Sequence, residues 1–409
     1  MIRSFGRSAL RFVDSSSLVD RFVQYFSKEN IPIRIIDTSG KTYEAGNRSK
    51  YTLHIRDNRF LKSLVSPDAF SLGDAYIKGY FDLSGNIIEL YELVCNKLLN
   101  TDRKKSLSAY FSGLFSNPLK QEAKNIQYHY DVPPEFYELF LGETMGYTCG
   151  YYADDNRTMD QAQYDKMDII CRKLRLQPGD RMLDIGCGWG GLLVHAAANY
   201  GVDATGITLS TQQKSYADQS ILSRGLADRC RVLLLNYRNL AGTLYNKIAC
   251  VGMSEHVGEK NMTGFFKTVY SCLSPGGLFL QHTITTNTRR KPGYENSFLD
   301  RYMFPGGQLL FQHKLIEHAE ATQFELLQAE NFRVHYVKTL KDWIDRMERN
   351  RDRILSLVPE MVYRIYHIFF VGSLVSFNTQ EISLVQNLFY KKEDNQDIGQ
   401  YFSTRFADA

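Results

Sequence analysis

Leu183-Asp184-Ile185-Gly186-Cys187-Gly188-Trp189-Gly190-Gly191 turns an apolar strand into a glycine loop, and the loop into a helix. Met182, Leu183 and Ile185 read as a buried strand, and Leu192, Leu193, Val194 and the alanines at 196 to 198 as a helix packed on the sheet. Gly186, Gly188 and Gly190 let the backbone turn tightly and approach a ligand where a Cβ would obstruct it. Such a loop serves a dinucleotide when a carboxylate follows about 20 residues on to meet the ribose. Here the next strand end, Thr205-Gly206-Ile207-Thr208-Leu209-Ser210, offers hydroxyls and no carboxylate, and the acid stands before the first glycine, at Asp184. That placement favours S-adenosylmethionine (SAM) over a dinucleotide, and methyl transfer over hydride transfer.

Outward from the loop, apolar strands at 181–185, 203–208, 231–235, 247–252 and 277–284 are separated by helix-length intervals. This alternation predicts a doubly wound parallel sheet with its ligand at the strands' carboxyl ends. At 409 residues the chain is long enough for two domains. The alternating segments Ile31–Ile35 and Tyr51–Ile55, and a helix-like run from Ser71, predict a small N-terminal α+β domain over 1–105. A polar linker at 106–124 and a second domain over 125–409 complete the division.

Composition narrows the function classes. A formal charge of +4 argues against a dedicated nucleic-acid polycation, so no nucleic-acid partner is expected. Arg289-Arg290-Lys291 and the arginines at 346, 349, 351 and 353 suit either solvated helix faces or anionic lipid headgroups. Seven cysteines without CxxC spacing indicate neither a disulfide framework nor a zinc site, so no metal is expected and a reducing cytoplasm is the natural compartment. Met1–Ser17 lacks the apolar core of a signal peptide. The apolar stretch Met361–Phe377 is interrupted by Arg364 and His367 and is short for a bilayer. The expectation is a soluble chain, or one that touches membranes from outside. The 26 Tyr and 25 Phe suit a lined cavity and an ordinary large core equally.

Further motifs stand in a characteristic order: His129-Tyr130-Asp131, Tyr147-Thr148-Cys149-Gly150-Tyr151-Tyr152, the glycine loop, Gly206–Ser210 with Gln213, Gly252-Met253-Ser254-Glu255-His256-Val257-Gly258, Gln281-His282-Thr283-Ile284 and Tyr302–Gly307. In this the chain resembles the cyclopropane-fatty-acyl-phospholipid synthase family, SAM-dependent lipid methyltransferases that include the mycolic acid cyclopropane synthases. The match runs from about residue 123 to 400, and Leu72-Gly73-Asp74-Ala75-Tyr76 with Gly79 extends it weakly into the N-terminal domain. The resemblance implies a Rossmann-like methyltransferase fold behind a small α+β domain that engages lipid or forms a homodimer. It also implies transfer of a methylene from SAM to the cis double bond of unsaturated acyl chains in membrane phospholipids, by an enzyme in peripheral contact with the cytoplasmic face of the membrane.

That chemistry places a carbocation on a lipid tail, which a dry, aromatic-lined pocket protects from water. A base must then take a proton from the transferred methyl. The resemblance makes this base a bound bicarbonate, held at Cys149, Glu255, His282, Ile284 and Tyr336. It assigns SAM to Tyr147, Thr148, Asp184, Gly186, Gly188, Thr208, Gln213 and Tyr237. Taken singly, Cys149 reads as a small buried hydrophobe, His282 as a core histidine and Tyr336 as packing, whereas Glu255 stands at the ligand-bearing edge of the sheet. Thr148 replaces a usual serine, Asn236 a frequent aspartate, and Pro133-Pro134 a more flexible pair. The segment Phe298–Phe311 and helices within 313–376 are the expected acyl-chain cover. Methyl-branched or hydroxylated lipid products, methylation of a soluble small molecule and a noncatalytic lipid binder are the competing readings.

Overall fold

The computed structural model describes residues 15–63, 69–94, 132–240, 242–288, 302–303 and 307–393. His129-Tyr130-Asp131, the linker 106–124, the basic run at 289–291 and half of the segment 298–311 lie outside the described residues. Two compact units emerge. The first joins the N-terminal segment to Val337–Glu381, and the second holds the rest of the described chain from 132 to 287, Gln308–Tyr336 and the segment from Ile382 onward. This grouping differs from the chain-order division over 337–381, which falls with the N-terminal sheet.

In the first unit, β1 (Ile33–Ile36), β2 (Thr42–Ala45), β3 (Tyr51–Ile55) and β4 (Phe81–Ser84) form a sheet in the order β2-β1-β3-β4. β1 and β3 run parallel and the other pairs antiparallel. The period-two pattern read in the sequence is realised in β3, where Tyr51, Leu53 and Ile55 are buried and their neighbours half-buried. The helix Glu360–Asn378 belongs to this unit and is buried along most of its length. Its two interrupting polar residues are buried with partners. The Arg364 guanidinium donates to the carbonyls of Tyr76 (3.2 Å) and Phe81 (3.1 Å) and pairs with Asp82. The His367 ring lies between the Tyr76 hydroxyl (3.0 Å) and Glu348 (2.9 Å). No helix among the described residues is long and apolar enough to cross a membrane.

The second unit is built on seven strands: β5 (Arg181–Ile185), β6 (Asp203–Thr208), β7 (Cys230–Leu234), β8 (Tyr245–Val251), β9 (Leu273–Thr286), β10 (Phe324–Asn331) and β11 (Ile382–Lys391). Their order is β10-β11-β9-β8-β5-β6-β7, with β5 to β9 parallel and β11 inserted antiparallel between β9 and β10. The five strands expected from sequence are all present, β9 starting earlier than expected. Alternate residues of β5 feed opposite cores. Met182 packs with Ala204, Val232 and Leu280, whereas Leu183 and Ile185 pack with Ile207, Ile248 and Phe279. The strand order reverses between β5 and β8, which opens a crevice at their carboxyl ends.

Candidate active site

A cavity of about 170 Å³ occupies that crevice. All eight residues expected to hold SAM line it: Tyr147, Thr148, Asp184, Gly186, Gly188, Thr208, Gln213 and Tyr237. Gly186 has φ +81° and a Cβ there would lie 2.7 Å from Met253, so the loop turns where only glycine fits. A Cβ on Gly188 would meet nothing within 4 Å, which marks the side of the loop open to a ligand. The Thr208 hydroxyl donates to Gln213 Oε1 (2.8 Å), and the Gln213 amide donates to the Ser210 hydroxyl that caps its helix (3.2 Å). Asn236, which also lines the cavity, accepts from the Arg238 amide (3.0 Å) and starts the short turn that carries Tyr237.

Asp184 is buried, one carboxylate oxygen has no partner, and burial pushes its pKa up to about 7 against the pull of Lys166. Lys166 is the functional residue the sequence reading missed. It lies on the helix Met159–Lys173, lines the cavity, and donates to the Thr148 hydroxyl (2.9 Å). Burial brings its pKa down to about 8. The signal was available, because Ala162, Lys166 and Ile170 follow one another at four-residue spacing on the buried face. From the same face Gln163 donates to the Thr148 carbonyl (2.8 Å), so Thr148 is held at both ends. His256, also missed, lines the cavity with its pKa lowered by burial to about 4.

The five residues expected around bicarbonate are not among the lining of this cavity, but three of them adjoin or pair with residues that are. Cys149 succeeds Thr148, Glu255 sits between Met253 and His256, and His282 pairs in register with Val251. Cys149 is fully buried, its thiol donating to the Gly150 carbonyl (3.0 Å) and lying 3.9 Å from the Phe332 carbonyl. The same carbonyl accepts from the Tyr336 amide (3.1 Å), and the Phe332 ring lies 5.9 Å from that of His282. Phe332 thus lies between Cys149 and His282, and Tyr336 follows it by one helical turn. Glu255 joins through Ile284, two residues beyond His282 on the same face of β9, whose amide donates to Glu255 Oε1 (2.8 Å). The Ile284 amide is therefore spent on the carboxylate.

Two atoms of this cluster are buried and have no partner, Glu255 Oε2 and His282 Nε2. Burial raises the Glu255 carboxyl to about 7, with the Ile284 amide opposing. Burial, reinforced by Lys166 and Lys173, holds the His282 ring well below its ordinary value and therefore neutral.

The family described as mycolic acid cyclopropane synthetase matches residues 117–387. The chain belongs to that family. This family member is similar to a probable fatty acid methyltransferase of Pseudomonas putida, at 34% identity over 88% of the chain and 92% of the relative. It is also similar to the cyclopropane-fatty-acyl-phospholipid synthase of Escherichia coli K12, at 29% identity over 84% and 88% respectively. Among solved structures, the cyclopropane synthase MmaA2 of Mycobacterium tuberculosis aligns with TM-score 0.64 and 30% identity, over 67% of this chain and all of that one. The mycolic acid cyclopropane synthase CmaA1, complexed with SAH and CTAB, aligns with TM-score 0.63 and 31% identity, over 68% and 99%. The fold is that of Rossmann-like SAM-dependent methyltransferases, and this member of the synthetase family is an enzyme of that class acting on lipid.

Proposed function

We propose that the enzyme is a cyclopropane-fatty-acyl-phospholipid synthase, converting the cis double bond of unsaturated acyl chains in membrane phospholipids into a cyclopropane ring. The observation that carries this reading is the pair of buried, unpartnered atoms, Glu255 Oε2 and His282 Nε2, next to the cofactor cavity. Polar atoms withheld from water cost free energy unless a ligand completes them. A small anion fits. Below pH 7 the Glu255 carboxyl carries a proton, and with His282 Nε2 it would present two donors to an oxyanion in a dry chamber beside the buried Cys149 sulfur. A methyltransferase for a soluble acceptor needs the cavity but not this cluster.

SAM, when bound, supplies an electrophilic methyl on a sulfonium. Tyr147, Thr148, Asp184, Gly186, Gly188, Thr208, Gln213 and Tyr237 would hold it, and the unpartnered oxygen of Asp184 suits a cationic ligand. Bicarbonate, held at Cys149, Glu255, His282 and Tyr336 near the Ile284 backbone, supplies the base for the proton lost on ring closure. The burial of these side chains keeps water from the acyl carbocation, and Glu255 retains or yields a proton at Oε2 near neutral pH. The same reading places the enzyme in peripheral contact with the cytoplasmic face of the membrane, with the N-terminal unit engaging lipid or a second copy.

A second reading, methylation of the acyl chain without ring closure, draws on the Pseudomonas putida relative named as a probable fatty acid methyltransferase. Incubation with SAM and vesicles of unsaturated phospholipid, followed by mass spectrometry of the acyl chains, separates the two. A gain of one CH2 with loss of the alkene supports ring closure. A methyl-branched or hydroxylated chain supports the sister chemistry, and an unmodified chain refutes both.

A further inference from the structure

We infer that Lys173 and Gln386 form a positioning relay that fixes His282 as its Nε2–H tautomer, making the buried second nitrogen a hydrogen-bond donor to the site's anion. This deepens the reading above, and rests on it for the identity of what Nε2 faces.

The register builds the relay. Glu330 on β10 pairs with Gln386 on β11, and Gln386 pairs with His282 on β9, so three polar side chains form one row across three strands. Lys173, at the end of the helix Met159–Lys173, reaches this row, its ammonium contacting Glu330 and lying 2.6 Å from Gln386 Oε1. It also stands 5.0 Å over the Phe332 ring.

The chemistry then runs in one direction. An ammonium has three donors and no acceptor, so the amide edge it meets must be the carbonyl. The other edge of Gln386 is an NH2 group, and it lies 3.1 Å from His282 Nδ1. An NH2 can only donate, so Nδ1 must offer its lone pair. In a neutral imidazole the proton then sits on Nε2, the atom that has no partner in the protein. The ring's depressed pKa excludes the doubly protonated form near neutral pH. Gln386 and His282 are almost completely buried, so the bond between them is sheltered from the water that would otherwise compete for it.

The test is nitrogen-15 NMR of the full chain labelled at histidine, which distinguishes protonated from unprotonated ring nitrogens. His282 is assigned by the signal lost in His282→Asn. Expected in the wild type is an unprotonated Nδ1 and a protonated Nε2. Gln386→Glu is close in shape but offers the ring an acceptor, so the proton should move to Nδ1. Lys173→Met should give a mixture, because the amide is free to turn over, while Lys173→Arg should keep the original tautomer. Gln386→Glu and Lys173→Met should lower kcat roughly tenfold to a hundredfold, the usual cost of losing a group that orients a functional histidine, with SAM affinity by titration calorimetry unchanged. A wild-type proton on Nδ1, or a tautomer unmoved in both variants, overturns the relay. If Gln386→Glu does not fold, Lys173→Met against Lys173→Arg decides the same question. Bicarbonate alone is then added to the labelled wild type. A shift of the His282 Nε2 signal supports the anion as its acceptor, whereas no shift with the tautomers as expected keeps the relay and refutes bicarbonate there.

Discussion

The cavity beside β5, β6 and β8 and the cluster beside β9 adjoin in sequence and differ in how their polar atoms are satisfied. In the cavity, Thr208, Gln213 and Asn236 find partners within their own loops. In the cluster, the amides and carbonyls of Ile284 and Phe332 are used to assemble the side chains, and the outward-facing atoms of Glu255 and His282 are left over. The cavity's loops thus satisfy most of their own polar atoms, whereas the small, captive ligand proposed above would complete those that the cluster leaves open. Asp184 and Trp189 depart from this in the cavity, each with a buried polar atom that no protein group meets, and the Asp184 oxygen is countered by the charge of Lys166.

The strongest break of this contrast is Glu255→Gln. Turnover should fall roughly a thousandfold, within the range for loss of a proton-transfer group, while calorimetric SAM affinity stays within a few-fold of wild type. A large loss of SAM affinity would merge the two regions into one site. Conversely, Gly186→Val forces a branched residue to φ +81° against Met253 and should weaken SAM binding about a hundredfold, with the His282 NMR signals unmoved.

Stability gives an independent handle on the cluster. Folding raises the Glu255 carboxyl from 4.5 to about 7, so the folded chain keeps a proton that the unfolded chain has lost between those values. Stability from this group therefore falls as pH rises through that window and is lowest above it. Glu255→Gln removes the penalty, and urea denaturation should show a gain of about 3 kcal/mol at pH 8 and almost none at pH 4. The smallest effect belongs to Lys166→Met, which removes the cation beside Asp184 and the donor to Thr148. SAM affinity should fall about tenfold. Because binding draws on the ionised Asp184, affinity rises with pH through about 7 in the wild type, and in the variant this midpoint should move upward.

The parallel half of the large sheet was legible because glycines and apolar runs mark every strand from β5 to β9. β11 was not. Ser383, Gln386 and Asn387 break its apolar pattern, yet all three are buried, Ser383 against Asn331, Gln386 against His282 and Asn387 against Gln281. Pairing across strands, invisible along one strand, made those polar residues admissible. The grouping of 337–381 with the N-terminal sheet was hidden for a similar reason, since Arg364 finds Asp82 only in three dimensions. The glycine loop and Asp184 were read from local chemistry and the other cofactor residues came with the family resemblance, whereas Lys166 was overlooked because a lysine on a buried stripe looks like an error in periodicity. Cys149 and His282 share nothing in sequence that announces Phe332 as their common neighbour.

The placement of β11 between β9 and β10 has a consequence for biogenesis. A strand that arrives at residues 382–391 must slot between two already synthesised ones before the row Glu330–Gln386–His282 exists. On the ribosome the chamber is therefore the last part of the enzyme to be wired. On the chemistry proposed above, a nascent chain carries its glycine loop long before the row that orients His282 can form.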